Sequence, residues 1–164
     1  MGIFIYTFTA TGKTTLSKKY SNVIDMESTK YKYINEDYEN ESLKSTNRII
    51  NKEWPNNYFN ELLKEKDKYD YILISDEVCN SFLKDNNLDY WWVYPKRELK
   101  EEYLERCKKR GNNKEFIYWY NKLWDKWIDE CINDNNASKH IELNSNEYLE
   151  DVLPNLKLKE EYYE

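Results

Sequence analysis

The sequence predicts a three-layer α/β fold, in which helices cover both faces of a five-stranded parallel sheet. Short apolar runs alternate along the chain with longer segments of helical periodicity, an order typical of β-α-β units. Two of the runs, YILI and YWWVY, are almost continuously apolar, as strands are when helices cover both sides of a sheet. A chain of 164 residues is long enough for one domain with a sizeable core, so we expect a single domain over residues 1–164.

The predicted strands are the short apolar runs, each four to six residues long. This length is typical of strands rather than helices, and the right-handed rule for β-α-β connections leaves few ways to order them. The predicted strands cover residues 3–8, 22–25, 70–75, 89–94 and 139–143.

The predicted helices lie between these strands, and two of them carry terminal signals. Pro55 stands at a first helical position, and Gly111 is a typical C-terminal stop. The last long helix has seven apolar residues at spacings of three and four, and Trp119, Trp124 and Trp127 on or beside this stripe are expected in the core. The helices cover residues 13–20, 55–66, 76–86, 98–110 and 114–133, whereas residues 26–53 are polar and are predicted as a loop with no more than one helix.

The composition excludes several classes of protein. Interspersed charged residues make up 34% of the chain and aromatic residues 16%, which favours a folded globule over disorder. A net charge of −6 counts against a nucleic-acid partner, because such proteins present a basic face. The apolar runs are too short for a membrane span or a signal peptide. Cys79, Cys107 and Cys131 are odd in number and widely spaced, so we expect structural thiols in a reduced, cytoplasmic protein.

Residues 7–15, TFTATGKTT, have the pattern of a phosphate-binding loop between the first strand and the first helix. The full pattern, G-x-x-x-x-G-K-[ST], has glycine where this chain has Thr7, a departure that we expect to shift the turn but that removes no charged or metal-binding group. Lys13 would neutralise the β- and γ-phosphates of ATP, and the Thr14 hydroxyl would complete the shell of Mg²⁺. A decayed or accidental loop is the alternative. The predicted nucleotide-binding residues here are Thr9, Ala10, Thr11, Gly12, Lys13, Thr14 and Thr15, with the amides of residues 10–15 converging on a phosphate.

Several motifs, taken as a set, resemble a group of small P-loop proteins common in bacteriophages. The motifs are GKTTL, VIDMES, NKEWPNNY, DYILIS and VYPKRELKEEYLERCKKRGNN, and the resemblance runs from residue 3 to about residue 153. These proteins are described as nucleoside or nucleoside-monophosphate kinase-like, similar to adenylate kinases. The resemblance implies the P-loop kinase fold with strand order 2-3-1-4-5, ATP as the phosphoryl donor, and a helical lid at about residues 95–113.

Three acidic residues lie at or just after the ends of predicted strands, at the edge of a parallel sheet where ligands bind. In the kinases that this chain resembles, an acidic residue after the second strand orients or deprotonates the acceptor, or holds Mg²⁺ through water. Asp25 and Glu27 stand at that position, with a solvated loop as the alternative. Asp76 follows the third strand much as a Walker B aspartate does, and with Thr14 it is a candidate metal ligand. Because Ser75 takes the nearer position, a helix N-cap is the alternative for Asp76.

Three of the four arginines, Arg97, Arg106 and Arg110, lie within fourteen positions of one another in the predicted lid. The resemblance implies that lid arginines hold the transferring phosphoryl group and stack on adenine, which assigns Arg106 and Arg110 to catalysis and Arg97 and Arg106 to nucleotide binding. Arg106 and Arg110 are one helical turn apart and share a face. A solvated helix of surface ion pairs is the alternative. Relatives place adenine at the turn after the last strand, which assigns Asn144 to nucleotide binding.

The sequence therefore predicts a kinase, an ATP- and Mg²⁺-dependent phosphotransferase acting on a nucleoside or nucleoside monophosphate. Catalysis would rest on positioning and charge neutralisation, as phosphoryl transfer generally requires. The alternatives are a nucleotide-binding regulatory protein with the same fold and no turnover, and a kinase of another small metabolite. We expect a small-molecule substrate with no nucleic-acid or membrane partner, and a homodimer is left open. Trp54 and Tyr58 either border the acceptor pocket or pack in the core.

Overall fold

The computed structural model describes residues 1–34 and 48–163, and its centre is a five-stranded, all-parallel sheet. The strand order is β2-β3-β1-β4-β5, which confirms the predicted order. In the middle strand, Ile5 pairs with Leu73 on one side and with Trp91 on the other. The strands are β1 Ile3–Thr7, β2 Val23–Asp25, β3 Tyr71–Ile74, β4 Tyr90–Pro95 and β5 Lys139–Leu143.

The helices overlap all the predicted segments, and two short ones are added. Within the part of the chain that the structure describes, none of them is both long and apolar enough to cross a membrane. Part of the predicted 26–53 loop forms α2, and its residues 35–47 lie outside the described part. The helices are α1 Lys13–Lys19, α2 Thr29–Lys32, α3 Asn56–Glu65, α4 Cys79–Asp85, α5 Lys100–Lys109, α6 Lys114–Ile132 and α7 Leu149–Val152, with 3₁₀ turns at Arg97–Leu99 and Glu160–Tyr162.

Helices cover both faces of the sheet because successive strand residues are apolar in both directions. On one face, Phe4, Tyr6 and Ile72 pack against α3 and α4. On the other face, Ile5 and Leu73 pack against α1 and α7. A third cluster packs the residues just beyond β1 and at the end of β4 against α5 and α6. The layers are therefore helix, sheet and helix, and the third cluster fixes α5 beside the carboxyl end of β1.

The three cysteines belong to these clusters. Cys79, Cys107 and Cys131 are free and buried. Burial raises the pKa of Cys79 and of Cys131 to about 12, and it also raises the pKa of Cys107. Since the thiolate is the reactive form of cysteine, these side chains act as small apolar core residues at neutral pH.

Helix α6 buries most of its predicted stripe, but one of its tryptophans lies elsewhere. The prediction that Trp119 lies in the core is wrong, because its side chain is 45% exposed. Trp119 is one residue before Tyr120, which turns it about 100° around the helix from the buried face. Trp127 is half-buried against the third cluster. The buried residues of the helix are Tyr120, Trp124, Ile128 and Cys131.

The predicted end of α5 is confirmed, whereas α4 begins later than predicted. Gly111 has a φ of 86°, and the Asn112 amide donates to the Cys107 carbonyl at 3.1 Å, so Gly111 ends α5 as predicted. Helix α4 begins at Cys79 instead of Asp76. The Asp76 carboxylate accepts the Val78 amide at 3.0 Å, and this side-chain bond forms a turn that competes with helix at that point.

Tyr58 is a core residue that fixes the end of β2. Its ring is fully buried, and its hydroxyl donates to the Met26 carbonyl at 2.6 Å. Trp54 is half-buried and stacks on the Tyr58 ring, with the two centroids 5.6 Å apart. The core alternative therefore holds for Tyr58, and its hydrogen bond positions the segment that carries Asp25 and Glu27.

Replacing Tyr58 by Phe should lower the free energy of unfolding by about 1–2 kcal/mol, because the buried Met26 carbonyl loses its donor. Urea titration followed by circular dichroism measures this change. The matched control is Tyr118→Phe, since Tyr118 is 56% exposed and should shift stability by less than about 0.5 kcal/mol. Equal stability of the two variants would show that the Tyr58 hydroxyl does not hold β2.

Candidate functional site

The loop between β1 and α1, residues 7–15, has an unusual backbone. Ala10 has a φ of 68° and Gly12 a φ of 93°, so the chain enters the left-handed region twice within three residues. A left-handed conformation costs a residue with a Cβ atom about 1–2 kcal/mol, and Ala10 adopts it while buried. Alternation of this kind turns successive amides toward one side and forms an anion-binding concavity.

The carbonyl groups of residues 8–12 all accept hydrogen bonds from the protein, at 2.8–3.2 Å. In contrast, the amides of residues 9–15 donate to no acceptor in the described residues. The amides of residues 13–15 belong to the first turn of α1, where N–H groups have no intrahelical partner, and those of residues 9–12 extend this unpaired run into the loop. Amides at a helix N-terminus are suited to bind an anion. The five carbonyl partners are, in order, the Thr11 hydroxyl, the Tyr120 hydroxyl, the Arg106 guanidinium, the Leu149 amide and the Leu16 amide.

Residues 10–15 of this run border a cavity of about 420 Å³ with a strongly basic lining. Of its ten lining residues, four are cationic and none is acidic among the residues that the structure describes. A concentration of positive charge beside exposed amides favours a polyanionic ligand. The lining residues are Ala10, Thr11, Gly12, Lys13, Thr14, Thr15, Arg106, Lys109, Arg110 and Tyr148.

Thr7, the departure from the usual loop pattern, does not disturb this geometry. It is the last residue of β1 and is buried, and its hydroxyl donates to the Ile74 carbonyl at 3.3 Å. The left-handed positions of the loop fall on Ala10 and Gly12, so Thr7 needs no glycine-like freedom. At Gly12 any side chain would be strained by its φ, and its Cβ would lie 3.1 Å from the Tyr148 ring.

Lys13 lies between the loop and the acidic ends of β2 and β3. Its ammonium donates to the Ser75 hydroxyl at 3.2 Å, directly after β3. Its charge acts to lower the pKa of both Asp25 and Glu27. Lys13 is therefore close enough to Asp25 and Glu27 to act on both carboxylates, at the sheet edge where the parallel strands end.

Asp25 and Glu27 are close in sequence but differ in electrostatic environment. Burial raises the pKa of Asp25 above its ordinary value despite the opposing charge of Lys13, and its buried Oδ1 has no partner among the described residues. For Glu27, burial also acts to raise the pKa, but the Thr29 hydroxyl and the Lys13 charge outweigh it, so the pKa lies below its ordinary value. The Thr29 hydroxyl donates to Glu27 at 2.7 Å. Asp25 is thus the better proton acceptor of the two.

Both carboxylate oxygens of Asp76 already accept hydrogen bonds from other residues of the protein. One carboxylate oxygen accepts the Ser28 hydroxyl at 2.9 Å and the other accepts the Val78 amide at 3.0 Å. It does not line the basic cavity, and the described residues contain no cluster of three or more metal-ligating acids, histidines or cysteines. Thr14 lines the cavity, and its hydroxyl has no protein partner in the described residues. Of the two predicted metal ligands, Thr14 is the better placed.

The structure brings Arg106 and Arg110 to the cavity. Arg110 is exposed and has no carboxylate within ion-pair distance in the described part of the chain. Arg106 is only 10% exposed at its side chain, and it pairs with Glu102 at 3.1 Å. The two arginines therefore share a helix face, but the Arg106 guanidinium is paired and largely buried, whereas the Arg110 side chain is exposed.

Three predicted nucleotide-binding residues, Thr9, Arg97 and Asn144, are not among the residues that line the basic cavity, and Thr9 borders the larger cavity described below. Arg97 forms ion pairs with Asp125, at 3.0 Å, and with Asp129, both on α6, so it ties α6 to the 3₁₀ turn at Arg97–Leu99. The Asn144 amide donates to the Glu147 carboxylate at 2.6 Å. This bond closes a turn that places Tyr148, in place of Asn144, against the cavity.

Sequence reasoning missed Tyr148 and Lys109, and each had a signal. Tyr148 follows β5, at the edge of the sheet where ligands bind, and its ring centroid lies 3.9 Å from the Arg106 guanidinium carbon. Lys109 belongs to the basic run Lys108–Arg110 and lies three residues after Arg106, on the same helix face.

A second cavity, of about 1020 Å³, lies between α4 and α6 and reaches Thr9 and Ser75. Its described charged residues are four acids and one lysine, so its lining repels phosphate. The phosphate chemistry predicted for this chain therefore belongs to the smaller, basic cavity. The charged residues of the larger one are Glu77, Lys84, Asp89, Glu130 and Asp134.

Two comparisons with known proteins leave the family undetermined. A scan against protein-family models found no match, and a search of curated proteins found no significant similarity. The resemblance described above consequently depends on the motifs of this chain and stays a prediction.

We expect Asp25→Asn to stabilise the protein at neutral pH, because the variant removes a carboxylate whose folded-state pKa is raised. Such a group binds its proton more readily in the native state, so its contribution to stability is lost as pH rises through the folded-state pKa. The gain should be largest near pH 7 and should vanish below the ordinary carboxyl pKa of about 4. Urea midpoints measured between about pH 3.5 and about pH 7.5 test the sign of this change.

Glu27→Gln is the matched variant with the opposite sign. The pKa of Glu27 is lowered in the folded state, so its carboxylate stabilises the protein above the ordinary pKa, and that contribution is lost as pH falls through the folded-state pKa. The variant should be less stable than the wild type at neutral pH. A destabilised Asp25→Asn variant, or two variants that shift in the same direction, would contradict the two environments described above.

Proposed function

We propose that this protein is an ATP-dependent phosphotransferase of the P-loop kinase fold, acting on a nucleoside or nucleoside monophosphate. The observation that carries the proposal is the run of amides at residues 9–15 that donate to no described protein acceptor, beside the Lys13 ammonium. Backbone amides and one lysine are the groups with which P-loop proteins hold the phosphates of a nucleotide. The five-stranded parallel sheet in the order β2-β3-β1-β4-β5 is compatible with that fold.

In this proposal the basic cavity holds the phosphate chain of ATP. The loop amides bind phosphate oxygens, Lys13 neutralises the β- and γ-phosphates, and Arg110 and Lys109 approach from α5. A planar, permanently charged guanidinium suits the phosphoryl group, whose charge is spread over three oxygens. Mg²⁺ bound with ATP would supply further neutralisation, with the Thr14 hydroxyl as its protein ligand, because Mg²⁺ takes few protein ligands and keeps phosphate and water oxygens.

The acceptor would bind at the end of β2, on the other side of Lys13. Asp25 has a raised pKa and a carboxylate oxygen with no partner in the described residues, so it can accept the proton of an attacking hydroxyl. Glu27 has a lowered pKa and stays ionised, which suits a group that orients the acceptor by hydrogen bonding. The two carboxylates therefore divide proton acceptance and orientation between them.

A nucleotide-binding protein without turnover is the second candidate, and one observation favours it. Both Asp76 oxygens already accept hydrogen bonds from Ser28 and Val78, so the Walker B position is occupied. A binder and an enzyme share the phosphate contacts and differ in whether an acceptor receives the γ-phosphoryl group. Only an assay of turnover separates them.

The test of the proposal is ATP consumption in the presence of each common nucleoside and nucleoside monophosphate. We expect one or a few of these acceptors to be phosphorylated, and Lys13→Ala to abolish turnover because the phosphates lose their lysine. Lys18→Ala is the matched control, since Lys18 is exposed on the same helix and outside the cavity. ATP affinity and turnover that are unchanged in Lys13→Ala would rule out this site, and ATP binding without any acceptor would favour the second candidate.

Arg110→Ala should lower kcat roughly a hundredfold, in the range seen when one preorganised charge donor is lost. ATP affinity should change much less, because the loop amides and Lys13 still hold the phosphates and Arg110 acts mainly on the transition state. Steady-state kinetics and calorimetric ATP titration give the two quantities. Lys108→Ala is the control, because Lys108 is exposed and pairs with Glu105 at 3.4 Å. Normal turnover in Arg110→Ala would make this arginine a plain surface residue.

A further inference from the structure

We infer that Arg106 is a positioning residue that holds the 7–15 loop in its anion-binding shape, and that it does not itself grip the phosphoryl group. The inference deepens the proposed function, because it concerns the same loop. It differs from the sequence-based expectation, in which the resemblance to P-loop kinases assigned both Arg106 and Arg110 to catalysis. The contacts of the two side chains separate these roles.

The guanidinium of Arg106 joins three separate segments of the chain. Nη1 donates to the Ala10 carbonyl at 3.0 Å, in the loop. Nη2 donates to the Glu102 carboxylate, one turn earlier on α5, and to the Glu147 carbonyl, in the turn after β5, both at 3.1 Å. Three of the five guanidinium N–H donors are therefore used within the protein.

Two aromatic rings fix the plane of this guanidinium. Its central carbon lies 4.2 Å from the centroid of Tyr103 and 3.9 Å from that of Tyr148. Tyr103 is fully buried on α5, and Tyr148 lies over Gly12. Cation–π contact with two rings and a side-chain exposure of 10% leave Arg106 little freedom to swing toward a ligand.

Glu102 is itself anchored, so the arginine has a fixed partner. It accepts the Ser145 hydroxyl at 2.5 Å and the Asn146 amide at 3.1 Å. These bonds and the charge of Arg106 lower the pKa of Glu102 below its ordinary value. Glu102 thus joins helix α5 to the turn after β5 through contacts that do not involve Arg106.

The bond to Ala10 falls where the loop most needs support. Ala10 is the left-handed residue of the loop that carries a Cβ atom, at a φ of 68°. Such a conformation persists when the surrounding structure enforces it. The Ala10 carbonyl points toward the Arg106 guanidinium, so the Thr11 amide, which shares its peptide plane, points the opposite way. Without this bond, Ala10 would relax toward a negative φ and the row of amides would be lost.

The inference predicts different kinetics for the two arginines. Arg106→Ala should raise the Kd for pyrophosphate and the KM for ATP at least tenfold, since fewer molecules have a formed loop. At saturating ATP its kcat should stay within a few-fold of the wild type, because bound nucleotide restores the loop. Arg110→Ala should show the reverse pattern. A residue that grips the transferring group predicts a fall in kcat with Kd unchanged.

The loop can also be followed without ligand, by ¹⁵N relaxation of the amides of residues 9–15. In the wild type these amides should be as ordered as the sheet, and in Arg106→Ala their order parameters should fall to values typical of flexible segments, below about 0.6. Lys108→Ala, on the exposed face of the same helix, should leave them unchanged. Unaltered order parameters in Arg106→Ala would overturn the inference, whether or not the wild type binds ATP.

A second substitution distinguishes positioning from direct contact. Glycine adopts positive φ at no steric cost. Adding Ala10→Gly to the Arg106→Ala variant should therefore recover several-fold of the pyrophosphate affinity that Arg106→Ala alone loses. No recovery, together with a loss of kcat, would mean that Arg106 contacts the ligand. If Arg106→Ala does not fold, Arg106→Lys replaces it, because lysine keeps the charge but lacks the planar fork. Arg106→Lys should show a smaller rise in the pyrophosphate Kd and a smaller fall in the order parameters of the loop. Wild-type pyrophosphate affinity and wild-type loop order in this variant would overturn the inference. Absence of ATP and pyrophosphate binding in the wild type would refute the proposed function alone.

Discussion

The candidate site depends on the direction in which five consecutive carbonyl groups point. The carbonyls of residues 8–12 each accept a hydrogen bond from the protein, and the amides that follow are thereby left to face the basic cavity. The donors belong to the loop itself, α1, α5, α6 and α7, so the loop acquires its shape only when the folded sheet has brought these helices together. The anion site therefore forms only together with the packed core, because the core helices donate the hydrogen bonds that the loop carbonyls accept, and an anion bound to the amides does not.

Charge is divided on the two sides of Lys13. On one side lie Arg106, Lys109 and Arg110, with no acidic residue among the described lining of the cavity. On the other side lie Asp25 and Glu27, whose pKa values are moved in opposite directions by burial and by hydrogen bonds. Two neighbouring carboxylates in unlike environments can take different roles in proton transfer. In the function proposed above, a transferred phosphoryl group would pass Lys13 between these two regions.

Hydrophobic periodicity and helix-end signals predicted the fold well, but they did not predict which side chains form pairs. All five strands and the five longer helices follow from apolar runs, from the α6 stripe and from Gly111, because each of these signals acts within one element. Trp119 was misplaced by a single residue of helical rotation. Arg97 was grouped with Arg106 and Arg110 by proximity in sequence, yet it pairs with Asp125 and Asp129, since α6 folds back against the 3₁₀ turn that carries it. Partners separated by about thirty residues are set by packing, which no local pattern encodes.

The sequence by itself determined the α/β class, the order of the elements and the loop with its lysine, because backbone conformation and burial follow from residues near one another in the chain. It also determined that three of the four arginines lie within or next to α5. Only the tertiary structure decided what each arginine does. Arg106 is enclosed by Tyr103 and Tyr148 and bonds to Ala10, whereas Arg110, one turn further, is exposed. The difference arises because the turn after β5 contacts Arg106 through the Glu147 carbonyl and the Tyr148 ring, and that contact joins segments about forty residues apart.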